Sequence, residues 1–222
     1  MVKYRGCLFD LDGTLINSLA DLAEASNYML TQRGFPTYPT ERYRYFVGRG
    51  VPKLIESVVP AQNRTAEELA VCRRFFDAYY HIHALDHTGP YAGIPAMLEG
   101  FRGRGLNLAV VSNKPDDFVH QIVESVFPRV FAAVQGQREG IPRKPDPAMA
   151  LSTCRALGLE PAECLYFGDS GVDMLTAVAA GMTAVGVLWG FREREELAEA
   201  GAQHLIARPE DALALPEAPS HS

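Results

Sequence analysis

The chain has 222 residues, of which 47% are hydrophobic and 22% charged, and it carries a net charge of −6. That length suits one or two domains with a core large enough to need no disulfide or metal staple. The acidic balance and the lack of a basic run argue against nucleic acid and membrane surfaces as partners, and no apolar stretch approaches the roughly 20 residues of a membrane helix.

Taken in chain order, Lys3–Phe9 reads as a short strand that Gly13-Thr14 breaks. It meets Asp10 too early for a signal peptide. Ser18 and Asp21 have capping-box spacing and open a helix with Leu19, Leu22, Ser26, Met29 and Leu30 on its buried side, closed by Gly34. Thr40 caps a short piece to Phe46, Gly48-Arg49-Gly50 interrupts, and Pro52 suits a first helical position. A further capping box, Thr65 with Glu68, starts a long helix whose apolar side carries Leu69, Cys72, Phe75, Phe76, Tyr79 and Ile82. His81, His83 and His87 have the spacing of an ordinary helix end.

The pattern changes near Gly89-Pro90. Leu106–Val111 is an apolar run interrupted by Asn107 alone, as in a strand buried on both faces. A helix over Asp116–Val126, a strand at Val130–Val134, a helix opened by Asp146-Pro147, a strand at Cys164–Phe167, a helix over Val172–Ala180 and a strand at Thr183–Val187 follow. This alternation predicts an α/β fold, a doubly wound, Rossmann-like parallel sheet. The core takes residues 1–16 and 89–222, with a helical unit, 17–88, inserted after the first strand. Residues 215–222 read as a frayed tail. Cys7, Cys72, Cys154 and Cys164 form no CxxC pair and sit in apolar settings, which predicts reduced buried thiols and a cytoplasmic protein. A monomer or homodimer is expected.

In such sheets ligands sit beyond the carboxyl ends of the strands. There the predicted strands run into Asp10, into Ser112-Asn113-Lys114 and into Gly168-Asp169, with Asp12 and Asp173 close by and Lys144 in a loop. Clustered carboxylates repel unless neutralised, and four of them with Lys144 as cation call for a divalent metal. An all-oxygen set favours Mg²⁺ over zinc, and Mg²⁺ beside a lysine suits a phosphate group. Asp173 has a second reading, the third position of a capping box opened by Ser170.

Phe9-Asp10-Leu11-Asp12-Gly13-Thr14-Leu15 resembles the first signature of the haloacid dehalogenase superfamily, Val111-Ser112-Asn113-Lys114 the second, Lys144-Pro145 the third, and Gly168-Asp169-Ser170 with Asp173 the fourth. The resemblance implies Asp10 as a nucleophile forming an aspartyl-phosphate, and Asp12 as acid and then base. It implies Ser112, Asn113 and Lys144 on the phosphoryl oxygens, with Gly13 and Thr14 as further substrate contacts. Mg²⁺ would be held by Asp10 and Asp169, by the Asp12 carbonyl, and by Asp173 directly or through water. Dehalogenases of the superfamily lack the second acid, so Asp12 favours phosphate chemistry.

The insertion resembles a small helical cap. Gly48-Arg49-Gly50 is similar to the specificity loop of phosphoglycolate phosphatases, with Arg49 and Gly50 as an anion cradle for a substrate carboxylate. The expected partner is a small phosphorylated metabolite. A sugar-phosphate phosphatase, a pyrophosphatase and a β-phosphoglucomutase-like mutase stand beside that reading. Outside enzymes, the alternatives are an aspartate-phosphorylated signalling module or an inactive scaffold.

Overall fold

A computed structural model describes residues 4–215; the predicted tail beyond Leu215 lies outside them. Six parallel strands make the main sheet: β1 (Gly6–Phe9), β4 (Asn107–Pro115), β5 (Ala133–Gln137), β6 (Cys164–Gly168), β7 (Thr183–Val187) and β8 (His204–Ile206). Their order is β5-β4-β1-β6-β7-β8, which puts β1 at the centre between the second and fourth signatures. Phe9 is level with Val110 on one side and Phe167 on the other, so Asp10, Val111 and Gly168 follow side by side.

Alternation along the strands builds two cores, because successive side chains point to opposite faces. Cys7, Phe9, Val110 and Phe167 pack on one face against α4 (Ile94–Gly103) and α5 (Asp116–Val126). Leu8, Val111 and Tyr166 pack on the other against α6 (Ala148–Leu157) and α7 (Gly171–Ala180), with α8 (Arg194–Glu199) beyond. Phe9 stacks on Phe167 with ring centroids 4.8 Å apart, so the β1–β6 ladder that ends at the acids is also a well-packed aromatic pair. All four cysteines are buried and free.

Several predicted boundaries move. Among the described residues the first strand starts at Gly6, and the one expected at Val130–Val134 lies at Ala133–Gln137. The second signature belongs to the strand itself, since β4 runs on to Pro115 with a register shift after Val111. Such irregularities re-aim side chains at strand ends. Helices α4 and α8 and strand β8 carried no reading from the pattern.

Between β1 and β4 the chain forms α1 (Leu19–Gln32), a 3-10 segment (Thr40–Tyr45), α2 (Val51–Val58) and α3 (Ala66–His83), which share an apolar cluster including Met29, Tyr43, Leu54 and Phe76. The two crossings to the sheet pair as a short antiparallel ladder, β2 (Ile16–Asn17) with β3 (Gly89–Pro90). The predicted capping boxes are redistributed. Thr65 accepts from the Glu68 amide, but the Glu68 carboxylate turns to Arg33 at 2.7 Å. Thr40 lies within the 3-10 segment, which Pro39 precedes.

Ser18 and Asp21 do not form the expected box. The Ser18 hydroxyl donates to Asp12 instead, at 2.5 Å. Asp21, fully buried, accepts from the amides of His87 and Thr88 and from the Thr88 hydroxyl at 2.6–3.1 Å. One carboxylate thus ties the first helix after the outgoing crossing to the chain just before the return crossing. Asp21→Ala leaves three donors unsatisfied in a buried position, and the expected loss is about 2–3 kcal/mol of unfolding free energy. A urea denaturation curve with an unchanged midpoint would contradict this role for Asp21.

Candidate active site

Lys144 is the centre of the charge arrangement. It is buried, and its Nζ lies 2.7 Å from Asp173 Oδ1, 2.9 Å from Asp10 Oδ1 and 2.9 Å from the Val111 carbonyl. Burial works against its charge, but Asp10 and Asp173 together hold the ammonium well above the ordinary lysine value. The loop carrying it is bracketed by Asn113, whose amide oxygen accepts from the Lys144 amide at 2.9 Å and whose nitrogen donates to the Lys144 carbonyl at 3.1 Å. The same nitrogen lies 3.4 Å from the Gly48 carbonyl of the inserted unit. Asn113 lines the cleft, but these bonds already occupy both ends of its amide.

Asp173 takes the capping position and also reaches into the site. Its Oδ2 accepts from the Ser170 amide and hydroxyl in a complete capping box, while Oδ1 accepts from Lys144. Asp169 accepts from the Phe191 amide at 2.8 Å and sits 3.4 Å from the Thr14 hydroxyl. Gly13, at φ +87°, passes so close that a Cβ there would overlap the Asp169 carboxylate. Gly13 and Thr14 therefore pack against Asp169 and are not among the residues lining the cleft.

Asp10, Asp169 and Asp173 each offer a carboxylate oxygen, all within 4.8 Å of one another, a group that a single metal ion could bridge. Burial pushes the Asp10 carboxyl up to about 7 and that of Asp169 well above the usual carboxylate range, with neighbouring acids adding to both. Asp10 Oδ1 is also buried, with the Lys144 ammonium 2.9 Å away as its ion-pair partner. An all-carboxylate donor set and an excess of acid over base fit a hard divalent cation.

The sequence pattern points to Lys144 as the cation, and the site holds a second buried lysine. Lys114 Nζ lies 2.7 Å from Asp12 Oδ1 and 4.9 Å from the ring centroid of Tyr80, on α3. Burial alone would lower its pKa, yet Asp12 beside it holds it above the ordinary lysine value. The spacing contains the signal: Ser112 and Lys114 are two apart on one strand, so a strand that aims Ser112 at a site aims Lys114 there too.

Asp10, Asp12, Ser112, Asn113 and Lys114 form one wall of a narrow cleft. The inserted unit forms the other with Leu22, Val47, Val51 and Leu54 and the backbone of Gly48 and Gly50. Arg49 is not brought in. It is exposed and lines an outer groove with Ser170 and Glu196.

Two other arginines, which no motif singled out, join the two walls. Arg44 donates to the carbonyls of Phe191 and Gly190, and Arg192 donates back to those of Arg44 and Val47. Through the Phe191 amide this reciprocal clasp reaches Asp169.

The sequence profile of the haloacid dehalogenase-like hydrolases matches residues 7–187. Phosphoglycolate phosphatase of Psychrobacter arcticus is 35% identical over 198 residues, covering 86% of each chain. That of Yersinia pseudotuberculosis is 30% identical over 96% of this chain and 94% of its own. A crystal structure from Lactobacillus delbrueckii subsp. bulgaricus, provisionally assigned as a phosphoglycolate phosphatase, superposes with a TM-score of 0.88. It is 34% identical and covers 95% of this chain and 97% of that one. With a parallel sheet that gathers all four signatures at one edge, the chain belongs to the haloacid dehalogenase-like hydrolases and is a phosphatase of that family.

Proposed function

We propose that the protein is a Mg²⁺-dependent phosphomonoester hydrolase working through an aspartyl-phosphate, with 2-phosphoglycolate as substrate. The observation that carries the mechanism is Asp10 Oδ1, a buried carboxylate oxygen at the wall of the cleft held 2.9 Å from the Lys144 ammonium. A carboxylate fixed by one cation, with lone pairs left on its oxygens, is what nucleophilic attack requires.

In the first step an Asp10 oxygen attacks phosphorus, and the bond from phosphorus to the leaving oxygen breaks. Asp12 supplies the proton to that oxygen from two residues along the chain. Ser112 borders the cleft and offers a hydroxyl to the phosphoryl oxygens, while Lys144 balances charge beside Asp10. In the second step Asp12 takes a proton from water, the water oxygen bonds to phosphorus, and Asp10 leaves as a free carboxylate with inorganic phosphate released. Asp10 and Asp169 would hold Mg²⁺ with the Asp12 carbonyl, and Asp173 stands close by while tying Lys144 to α7. The ion supplies charge neutralisation between the phosphate and the acids.

The helical unit, residues 17–88, acts as a cap over a core of residues 1–16 and 89–222. Its apolar wall limits water at the phosphoryl group while the Arg44–Arg192 clasp is made. A small cleft without hydroxyl-reading side chains on the cap wall supports a short substrate over a sugar phosphate. The relatives bearing the phosphoglycolate phosphatase name point the same way. Free buried thiols and the lack, among the described residues, of a helix able to cross a membrane support action on a small metabolite in the cytoplasm.

Mg²⁺ at a hundredfold excess over its dissociation constant should stabilise the fold by about 2.7 kcal/mol, read as a rise in melting temperature. Asp169→Asn should remove most of that rise, and equal rises in both proteins would contradict the metal assignment. With Mg²⁺ present, phosphate release across phosphoglycolate, hexose phosphates, nucleoside monophosphates and pyrophosphate should favour phosphoglycolate. Asp10→Asn should abolish release from all of them while keeping the native circular dichroism. Near-normal turnover by that variant would overturn the nucleophile assignment, and product analysis showing transfer to a sugar would favour a mutase.

A further inference from the structure

A substrate carrying a second anionic group needs a cation that can still donate. Lys144 already points its ammonium at Asp10, Asp173 and the Val111 carbonyl, three partners for three protons. Arg44 and Arg192 donate to backbone carbonyls, and Arg49 lies in the outer groove. The cap wall is apolar. Among the described residues, Lys114 is the one cation that lines the cleft.

Its hydrogen bonding is incomplete. The Lys114 ammonium has one protein acceptor, Asp12 Oδ1, which leaves two protons to give. Asp12 in turn keeps the Ser18 hydroxyl at 2.5 Å, so its carboxylate remains partnered if Lys114 also binds elsewhere. Behind Lys114, and not among the residues that line the cleft, lies the Tyr80 hydroxyl, which is buried and has no hydrogen-bond partner. Burial pushes that phenol up to about 12, and Lys114 opposes the shift. A tyrosine that served only to pack would need no hydroxyl in that position, and a buried unpartnered hydroxyl costs free energy.

We propose that Lys114, assisted by the Tyr80 hydroxyl of α3, is the recognition point for a carboxylate on the substrate's short organic part. This rests on the phosphatase reading above and names the group that reads the substrate's second charge. Because Lys114 stands on the core strand that bears Ser112, the carboxylate is read from the catalytic wall. The cap contributes Tyr80 and apolar cover. Lys114 is thereby a specificity-determining residue.

The test compares kcat/KM for phosphoglycolate with that for ethyl phosphate, in which a methyl group replaces the carboxylate. The wild-type ratio should strongly favour phosphoglycolate. Lys114→Met should lower the ratio by about two orders of magnitude, the scale of one lost buried charge contact, and Lys114→Arg should restore part of it. Tyr80→Phe, which keeps the ring and so guards against a misfolded Lys114 variant, should lower the ratio by about three- to tenfold, mainly through KM. If the variants slow both substrates by the same factor, Lys114 serves only to position Asp12 and the proposal is overturned. A wild-type ratio near one overturns it as well. Failure of the wild type to hydrolyse either substrate would instead reject the phosphatase reading beneath it, since loss of carboxylate recognition alone leaves ethyl phosphate turnover measurable.

Discussion

Four acidic side chains meet at one edge of the sheet, and Lys144 bridges two of them, Asp10 from β1 and Asp173 from α7. Burying several carboxylates is tolerable only when opposite charge and hydrogen bonds compensate them, and losing one partner of a buried pair costs about 3–5 kcal/mol. The surrounding structure is arranged to keep that ammonium in place. Asn113 clamps its backbone, Val111 accepts one of its protons, and Ser170 fixes Asp173 from the far side. The same arrangement holds Asp10 Oδ1 beside that ammonium at the wall of the cleft. Stability and reactivity thus come from one set of contacts, with the acid excess left for a cation.

The second lysine is placed on a different principle. Lys114 forms a single ion pair with Asp12 and rests against an aromatic ring from the inserted helices, so it links the core acid to the unit above it. The Arg44–Arg192 clasp makes a further link at the opposite rim, and the Asp21 carboxylate ties the two crossings at the base. The helical unit is therefore attached at its base by buried hydrogen bonds and at its rim by bonds between arginines and carbonyls.

Much of this was legible before any coordinates. A buried strand running into Asp10, with Asp12 two residues on, has few readings other than a site, and apolar runs ending in Ser112 and Asp169 placed their polar residues at the same sheet edge. What stayed hidden falls into two kinds. Short edge elements such as β8 have too few residues for a periodic pattern, and α4 opens on a left-handed glycine, Gly93, with no side-chain cap. Long-range partnerships are the other kind. Asp21 has the spacing of a local cap, yet its partners lie 66 and 67 residues away. Arg44, Arg192 and the outward turn of Arg49 depend on how two units meet, which spacing along one chain does not encode. Lys114 was within reach, since alternation along the strand ties it to Ser112.

The central claim is that Asp10 becomes covalently phosphorylated during turnover. Quenching the enzyme in mid-turnover and reducing with borohydride converts an acyl phosphate to an alcohol, leaving homoserine at the modified position for peptide mass spectrometry to locate. The mark is expected at position 10, at no other acid, and only when substrate and Mg²⁺ are both present. Sustained phosphate release with no mark, or a mark at Asp12 or Asp169, would contradict that claim.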